Sequence, residues 1–224
     1  MFRFSSRHVL QSDALLALPW LAHGFQTRLS DYLPDGFARA TLQQIHSDRV
    51  FLTQGDAGLL GEGDALVTKA TGVLLTIRTA DCVPLLVADP EHRAVAAIHA
   101  GWRGTVAGVV PRTIETLSTE FGSRPETLLV AIGPCIRRDA FEVGPEVAKQ
   151  FMHLFPERLD LHEKTTVDLG EACLRQLTER GVPRANIFDC GHCSFQDTDR
   201  FHSYRRDREQ SGRMVSYVGI RQSA

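Results

Sequence analysis

Residues 73–110 read VLLTIRTADCVPLLVADPEHRAVAAIHAGWRGTVAGVV, and they combine strand and helix patterns in close succession. Within this stretch, short, apolar, β-branched runs predict closely spaced strands at Val73–Ile77, Val83–Ala88 and Ala94–Ile98. Asp89-Pro90 is a turn signal between the second and third runs. Those two strands are therefore predicted to pair as a hairpin.

After Gly101 the spacing of apolar residues becomes helical. One face of the predicted helix collects Val106, Val109, Val110, Ile114 and Leu117. Pro111 lies inside this pattern, and an interior proline removes a backbone hydrogen bond and clashes with the preceding turn. The helix is therefore expected to kink at Pro111 or to begin late.

The remaining elements alternate without a regular β-α-β rhythm. Further strands are predicted at Leu128–Ile132, Ile187–Asp189 and Val215–Ile220. A second helix is predicted from Asp168, a capping residue, to the breakers Gly181 and Pro183. No internal repeat and no flexible linker divides the chain. We expect an α+β fold, a single-domain sandwich of mixed β-sheets flanked by helices that covers residues 1–224.

Composition excludes several classes of protein. Lys and Arg number 25 and Asp and Glu 27 in 224 residues, a net charge of −2, which argues against a dedicated nucleic-acid or membrane-surface binder. No apolar run approaches the roughly 20 residues of a membrane span. Met1–Leu18 lacks the pattern of a signal peptide, and five cysteines are an odd number for a disulfide framework. We expect a cytoplasmic protein; its oligomeric state is open, with a monomer favoured.

Three segments place a potential metal ligand beside a strand or turn: QQIHS around His46, TADC ending at Cys82, and IHAGWRG beginning beside His99. The predicted hairpin can bring Cys82 and His99 together, and His46 would complete a set of two histidines and one cysteine. Three protein ligands with a fourth position open is the ligand count of catalytic zinc. The separations in sequence match no local zinc motif, so a buried thiol and hydrogen-bonded histidines remain the alternative.

These segments resemble a known family. QQIHSDRV, DALVT, TADCVPLL, VAAIHAGWRGTVAGVV, IGPCI with FEVGPEV, and SYRRD with SGRMVSYV are similar, in order, to the signature segments of the YfiH-type family. Its members were first described as multicopper polyphenol oxidoreductases and later as zinc-dependent purine nucleoside phosphorylases with adenosine deaminase activity. The resemblance implies that His46, Cys82 and His99 are the metal ligands, and the older description leaves copper as an alternative ion. Leu29–Ala40 is shorter than the Gly-rich segment usual in the family, which affects the expected pocket shape.

Other polar residues are candidates for the same site. Arg103, in a Gly-flanked turn before a helix, is predicted to bind phosphate, and Arg78 is a weaker candidate of the same kind. The alternative for both is a surface ion pair. Asp81 is expected either to orient a ligand histidine or to cap a turn. Asp64 resembles a fixed position of the family and is a candidate substrate-binding residue, although turn formation explains it almost as well.

Several features are interpreted as structural. Trp102 is expected to pack rather than to stack on a purine. Cys190-Gly-His-Cys193 lacks a second C-x-x-C and is not expected to bind zinc or to act as a redox pair. Cys135 and Cys173 are expected to be inert. The basic residues Arg205, Arg206 and Arg208 alternate with acids and indicate a solvated surface.

The resemblance implies phosphorolysis of adenosine, inosine or guanosine, with methylthioadenosine as a further candidate, and deamination of adenosine at the same site. The implied partners are a nucleoside and phosphate, with His46, Cys82, His99 and Arg103 as catalytic residues. A metal-independent hydrolase using Cys82 and His99 is one alternative, an amidase acting on a cell-wall precursor is another, and a metal-stabilised interaction module is a third. A multicopper oxidase is not expected, because its paired His-x-His arrangements are missing.

Overall fold

The computed structural model describes residues 1–222, which form β-strands and short helices in alternation. The strands are β1 (Phe2–Phe4), β2 (Val9–Ser12), β3 (Leu21–Gln26), β4 (Ala38–Gln43), β5 (Val50–Leu52), β6 (Gly58–Glu62), β7 (Ala65–Thr68), β8 (Val73–Thr79), β9 (Val83–Asp89), β10 (Ala94–Ala100), β11 (Leu129–Ile132), β12 (Glu142–Val143), β13 (Thr165–Thr166), β14 (Ile187–Asp189) and β15 (Met214–Ile220). The helices are α1 (Asp13–Leu16), α2 (Trp102–Ala107), α3 (Val109–Phe121), α4 (Pro145–Ala148), α5 (Leu169–Glu179) and α6 (Tyr204–Asp207).

The longer strands form two mixed sheets. Sheet A has the order β1-β2-β3-β15-β8-β4-β6, and sheet B has the order β14-β11-β9-β10-β7-β5; β12 and β13 pair separately. Parallel pairs at β4–β8 and β5–β7 lie among antiparallel ones. The α+β prediction with mixed sheets and flanking helices is confirmed.

The predicted hairpin is β9 and β10, paired antiparallel with Ala94 opposite Asp89 and His99 opposite Pro84. Both strands are buried along their whole length because sheet B is covered on both faces. Leu86 and Ala97 face sheet A, whereas Leu85 packs against the helices. The continuous apolar runs of the sequence are the consequence of this two-sided burial.

Strand β8 belongs to sheet A, although it precedes the hairpin closely in sequence. Leu75 and Ile77 pack from β8 onto the inner face of sheet B, in the same apolar cluster as Leu86 and Ala97. The chain therefore crosses from one sheet to the other within Ala80–Cys82. This crossing places the residues before β9 at the end of both sheets.

Helices α2, α3 and α5 cover the outer face of sheet B. Gly108, with φ of 91°, separates α2 from α3, and Pro111 lies in the first turn of α3, where a missing N–H costs no hydrogen bond. The prediction of a late helix start is thus correct. Helix α5 is capped by Asp168, which accepts from the Glu171 N–H at 3.0 Å, as predicted. Within residues 1–222 we find no helix with the length and apolar character needed to cross a bilayer.

Candidate metal centre and its pocket

Three side chains from separate parts of the sequence converge where the chain crosses between the sheets. His46 follows β4, Cys82 directly precedes β9, and His99 is the second-to-last residue of β10. One ligand atom from each lies within 4.8 Å of the others, and Cys82 Sγ is 3.8 Å from His46 Nε2. The imidazole rings of the two histidines are nearly perpendicular, with centroids 4.9 Å apart. The cluster is the one group of this kind within residues 1–222.

Asp64 holds both His46 and His99 in place through hydrogen bonds. Its carboxylate is fully buried; Oδ1 accepts from the His46 N–H at 3.0 Å and pairs with His99 Nδ1 at 2.8 Å. Oδ2 accepts from the backbone N–H and hydroxyl of Ser47, at 2.5 and 2.7 Å. These bonds hold His46 in its left-handed conformation, φ 59°. Asp64 was expected to bind substrate. This was wrong, because both carboxylate oxygens bind His46, Ser47 and His99 and the side chain is fully buried.

Since Asp64 occupies Nδ1 of His99, Nε2 is the nitrogen left to bind a metal. His46 likewise directs Nε2 toward Cys82. Gly101 makes the close approach possible, because a Cβ there would lie 2.6 Å from His46 Cδ2 and 3.0 Å from Cys82 Sγ. The glycine of the HAGWRG segment is thus required by space rather than by its backbone angles.

The thiol and the imidazole change each other's protonation. Burial alone raises the pKa of Cys82, but the charge of His99 and hydrogen bonds from both histidines outweigh burial and lower it. Burial alone lowers the pKa of His99, but the Cys82 thiolate and Asp64 outweigh it and raise it. The thiolate is the form that binds metals and attacks electrophiles. The site is therefore built to hold Cys82 as a thiolate.

The donor set fits a single zinc ion. Tetrahedral zinc with bonds of about 2.0–2.3 Å places its ligand atoms roughly 3.3–3.6 Å apart, and the Cys82–His46 separation is 3.8 Å. All three ligand atoms lie within 4.8 Å of one another. His46, Cys82 and His99 all line one pocket, so an ion held by them would be open to water or substrate from that side.

That pocket measures about 1010 Å³, at the upper end of small-molecule sites. The predicted phosphate ligands Arg103 and Arg78 both line it. Arg103 lies with Cζ 4.6 Å from the centre of the Trp102 ring, and both arginines are exposed. Neither pairs with a carboxylate within residues 1–222, so the alternative of a surface ion pair is not observed for that part of the chain.

The basic segment Arg205–Arg213 contributes more residues to the pocket than the sequence indicated. Arg205, Arg208 and Arg213 line the same pocket. The interpretation of the segment as a solvated surface was wrong for Arg205, which is half-buried at the pocket, whereas Arg208 lines the pocket and is exposed. Arg206 points elsewhere and binds the carbonyls of Ser194 and Phe195.

Asp81 does not orient a histidine. Its two oxygens accept from Ser194 Oγ at 2.7 Å and from the Arg205 N–H at 2.6 Å. Of the two roles expected for Asp81, orienting a ligand histidine was wrong, because the carboxylate binds Ser194 and the backbone of Arg205 instead. Asp81 is buried, and its φ of 91° turns the chain sharply into Cys82.

The C-x-x-C segment lies outside the pocket. Cys190 and Cys193 are free thiols, and Cys193 forms an isolated backbone bridge with Cys135. Burial raises the pKa of Cys190 to about 12, so this thiol is unreactive at neutral pH. Cys173 is buried on α5 and is equally inert, with its pKa raised by burial to about 12.

Comparison with known proteins identifies the family. The family model described as multi-copper polyphenol oxidoreductase laccase matches residues 27–221. This chain belongs to that family. The YfiH-type resemblance of the sequence motifs is confirmed by the same match and by relatives that carry the name YfiH.

Members of the family include proteins with enzyme names. A protein of Deinococcus radiodurans named purine nucleoside phosphorylase is 42% identical over 191 residues, covering 84% of this chain and 72% of its own. Adenosine deaminase RL5, from an unknown prokaryotic organism, is 37% identical over 194 residues, covering 80% and 72%. Among solved structures, YlmD from Geobacillus stearothermophilus superposes with a TM-score of 0.88 at 25% identity, covering 99% of both chains. These family members support an enzymatic role for this chain.

Proposed function

We propose that this protein is a zinc-dependent purine nucleoside phosphorylase that also deaminates adenosine at the same site. The observation that carries the proposal is the convergence of His46, Cys82 and His99 on one pocket whose wall carries several arginines without carboxylate partners among residues 1–222. The enzyme names of the relatives agree with it. The substrates are a purine nucleoside with phosphate, or adenosine with water.

The two reactions make different demands on the residues. In phosphorolysis a phosphate oxygen bonds to C1′ of the ribose while the C1′–N9 bond breaks, and the departing purine takes the electron pair and a proton. Arginine guanidinium groups suit the phosphate, because their planar donors match its oxygens. In deamination a water oxygen adds to C6 of adenosine and ammonia leaves, which yields inosine.

When bound, zinc supplies a Lewis acid that can activate water or stabilise developing negative charge. The chain's own contribution is positional: Asp64 fixes the tautomer of His99 and the backbone of His46, and the lowered pKa of Cys82 keeps its sulfur ionised. Two nitrogens and one thiolate suit zinc, and also copper. A multicopper centre has no support in residues 1–222, where a single group of this kind forms.

A cysteine hydrolase is the second candidate, favoured by the lowered pKa of Cys82 beside His99. In that reaction the thiolate attacks a carbonyl carbon, the leaving group departs with a proton from His99, and water then releases the acyl group. The two candidates differ in their response to metal removal. A phosphorylase that needs zinc loses turnover after chelation and regains it with zinc, whereas a thiol hydrolase keeps its turnover.

The proposal is tested by metal analysis together with turnover. Inosine with and without phosphate, and adenosine with water, are supplied to wild type, Cys82→Ala and His99→Ala. Cys190→Ala and His153→Ala serve as matched controls, because Cys190 lies outside the pocket and His153 is exposed on the surface. We expect about one zinc per chain and both activities in wild type and controls, and neither in the site variants. Phosphate-dependent cleavage by metal-free Cys82→Ala would refute the proposal.

A further inference from the structure

Arg205 is the half-buried arginine of the pocket wall. Its Nη1 donates to the carbonyl of Glu142 at 2.8 Å, and its Cζ lies 5.1 Å from the centre of the Phe141 ring. Its backbone N–H donates to Asp81 at 2.6 Å. Side chain and backbone are therefore both fixed before any ligand arrives, in contrast to the exposed Arg103 and Arg78.

The guanidinium of Arg205 keeps donors for a ligand. An arginine carries five N–H donors, and one hydrogen bond, to the Glu142 carbonyl, is formed by this side chain within residues 1–222. In the same range no carboxylate pairs with Arg205, and Arg208 makes no side-chain hydrogen bond. Both line the pocket. Because the side chain of Arg205 is half-buried and already held in place, it loses little conformational entropy when it binds an oxyanion.

Of the three exposed carboxylates that line the pocket, two have other partners, and Glu146 forms no ion pair within residues 1–222. Glu142 pairs with Lys164 at 2.7 Å, and Glu209 accepts from the hydroxyl of Tyr204 at 2.8 Å. Arg213 adds a further positive charge to the wall, with its Cζ 5.5 Å from the centre of the Tyr204 ring. The guanidinium groups of Arg205, Arg208 and Arg213 thus have no carboxylate partner within residues 1–222, and Glu146 is the unpaired carboxylate of the same pocket.

Asp81 links this wall to the metal ligands. It precedes Cys82 directly in sequence, and its carboxylate holds Ser194 and the backbone of Arg205. It is 8% exposed, so both hydrogen bonds are shielded from water. A shift of this carboxylate therefore moves the backbone of Arg205 relative to Cys82.

We propose that Arg205, assisted by Arg208, forms the subsite for the phosphate co-substrate, and that Asp81 is the positioning residue that sets its distance from the metal ligands. The inference rests on the proposed function for the identity of the anion. It replaces Arg103 with Arg205 as the principal phosphate ligand. The ligand class is a tetrahedral oxyanion, which Arg205 contacts through its unused N–H donors.

Binding of inorganic phosphate to zinc-loaded protein, measured by calorimetry, tests the subsite without turnover. We expect Arg205→Gln to raise the Kd for phosphate at least about 10-fold, the loss of one charge-assisted contact, and Arg208→Gln to raise it about 3-fold. Arg180→Gln is expected to change it less than 2-fold, because Arg180 is exposed and lies outside the pocket. If Arg205→Gln fails to fold, Arg205→Lys, which keeps the charge but loses the planar donors, replaces it with the same expected direction.

Kinetics tests the positioning role. We expect Asp81→Asn to raise the KM for phosphate at least about 3-fold, the effect of a weakened hydrogen bond to Arg205, while the KM for inosine and the zinc content stay within 2-fold. In Arg205→Gln the ratio of phosphorolysis to deamination falls. An unchanged phosphate Kd in both Arg205 variants overturns the subsite, and equal changes in both KM values overturn the role of Asp81.

The outcomes separate this inference from the proposed function. Wild-type protein that binds phosphate through Arg205 but does not cleave inosine refutes the phosphorylase and leaves the anion subsite standing. Phosphorolysis that is insensitive to Arg205 and Arg208 refutes the subsite and leaves the phosphorylase standing. Absence of phosphate binding by the wild type refutes the subsite outright.

Discussion

Replacement of Asp64 by Asn removes one acceptor from beneath the metal ligands while keeping the size of the side chain. The amide oxygen of the introduced Asn can accept hydrogen bonds either from His46 and His99 or from Ser47. Its NH₂ group then lies against an N–H donor that bonded to the carboxylate at 2.5–3.0 Å in the wild type. A buried donor left without an acceptor costs about 1–3 kcal/mol, and loss of a charged acceptor adds a similar amount. We expect Asp64→Asn to lower the free energy of unfolding of the metal-free protein by about 3–5 kcal/mol.

The same substitution weakens metal binding, because the ring of His99 and the backbone of His46 are no longer fixed. Loss of such a supporting carboxylate typically costs about 10–100-fold in metal affinity. Urea unfolding of metal-free protein and competition for zinc with a chromophoric chelator measure the two effects separately. Asp139→Asn is the matched control, since Asp139 is exposed and lies outside the pocket. A zinc Kd within 2-fold of wild type would show that Asp64 does not position the ligands.

Three further outcomes are expected. Gly101→Ala places a Cβ 2.6 Å from His46 Cδ2 and should weaken zinc binding at least about 10-fold, as read by chelator competition. Burial lowers the pKa of His23 from 6.5 to about 4, so the unfolded chain is protonated at a higher pH than the folded protein. The contribution of His23 to the free energy of unfolding is therefore complete above pH 6.5 and falls by about 3 kcal/mol toward pH 4. His23→Gln should flatten this pH dependence in urea unfolding. Leu177→Ala, at a fully buried position of α5, should cost about 2–5 kcal/mol by urea unfolding, whereas Thr178→Ala, at an exposed one, should cost less than about 0.5 kcal/mol.

The sequence predicted those parts of the fold that depend on neighbouring residues. The hairpin of β9 and β10 follows from two apolar runs around Asp89-Pro90, and α5 follows from its cap and its terminal glycine. His46, Cys82 and His99 were brought together by the hairpin combined with the family resemblance. The assignment of β8 to the other sheet could not be predicted, because its apolar run looks the same in either sheet.

The roles of Asp64, Asp81 and Arg205 depend on contacts between distant parts of the chain. Asp81 meets Ser194 and Arg205 across 113 and 124 residues of sequence. In the sequence, Asp64 and Asp81 resembled turn residues and Arg205 resembled a surface residue. The local pattern does not reveal which distant group a buried acid binds. One signal was available for Asp64: it precedes the fully buried strand β7 directly, where an unpaired carboxylate would be costly.

X-ray absorption at the zinc edge of the loaded protein tests the ligand set most directly. We expect two nitrogen ligands at about 2.0–2.1 Å and one sulfur at about 2.3 Å, with the fourth ligand a light atom. In Cys82→Ser the sulfur contribution should vanish, whereas Cys190→Ser should leave it unchanged. A zinc shell made of several sulfurs, or one whose sulfur persists in Cys82→Ser, would contradict the metal centre described here.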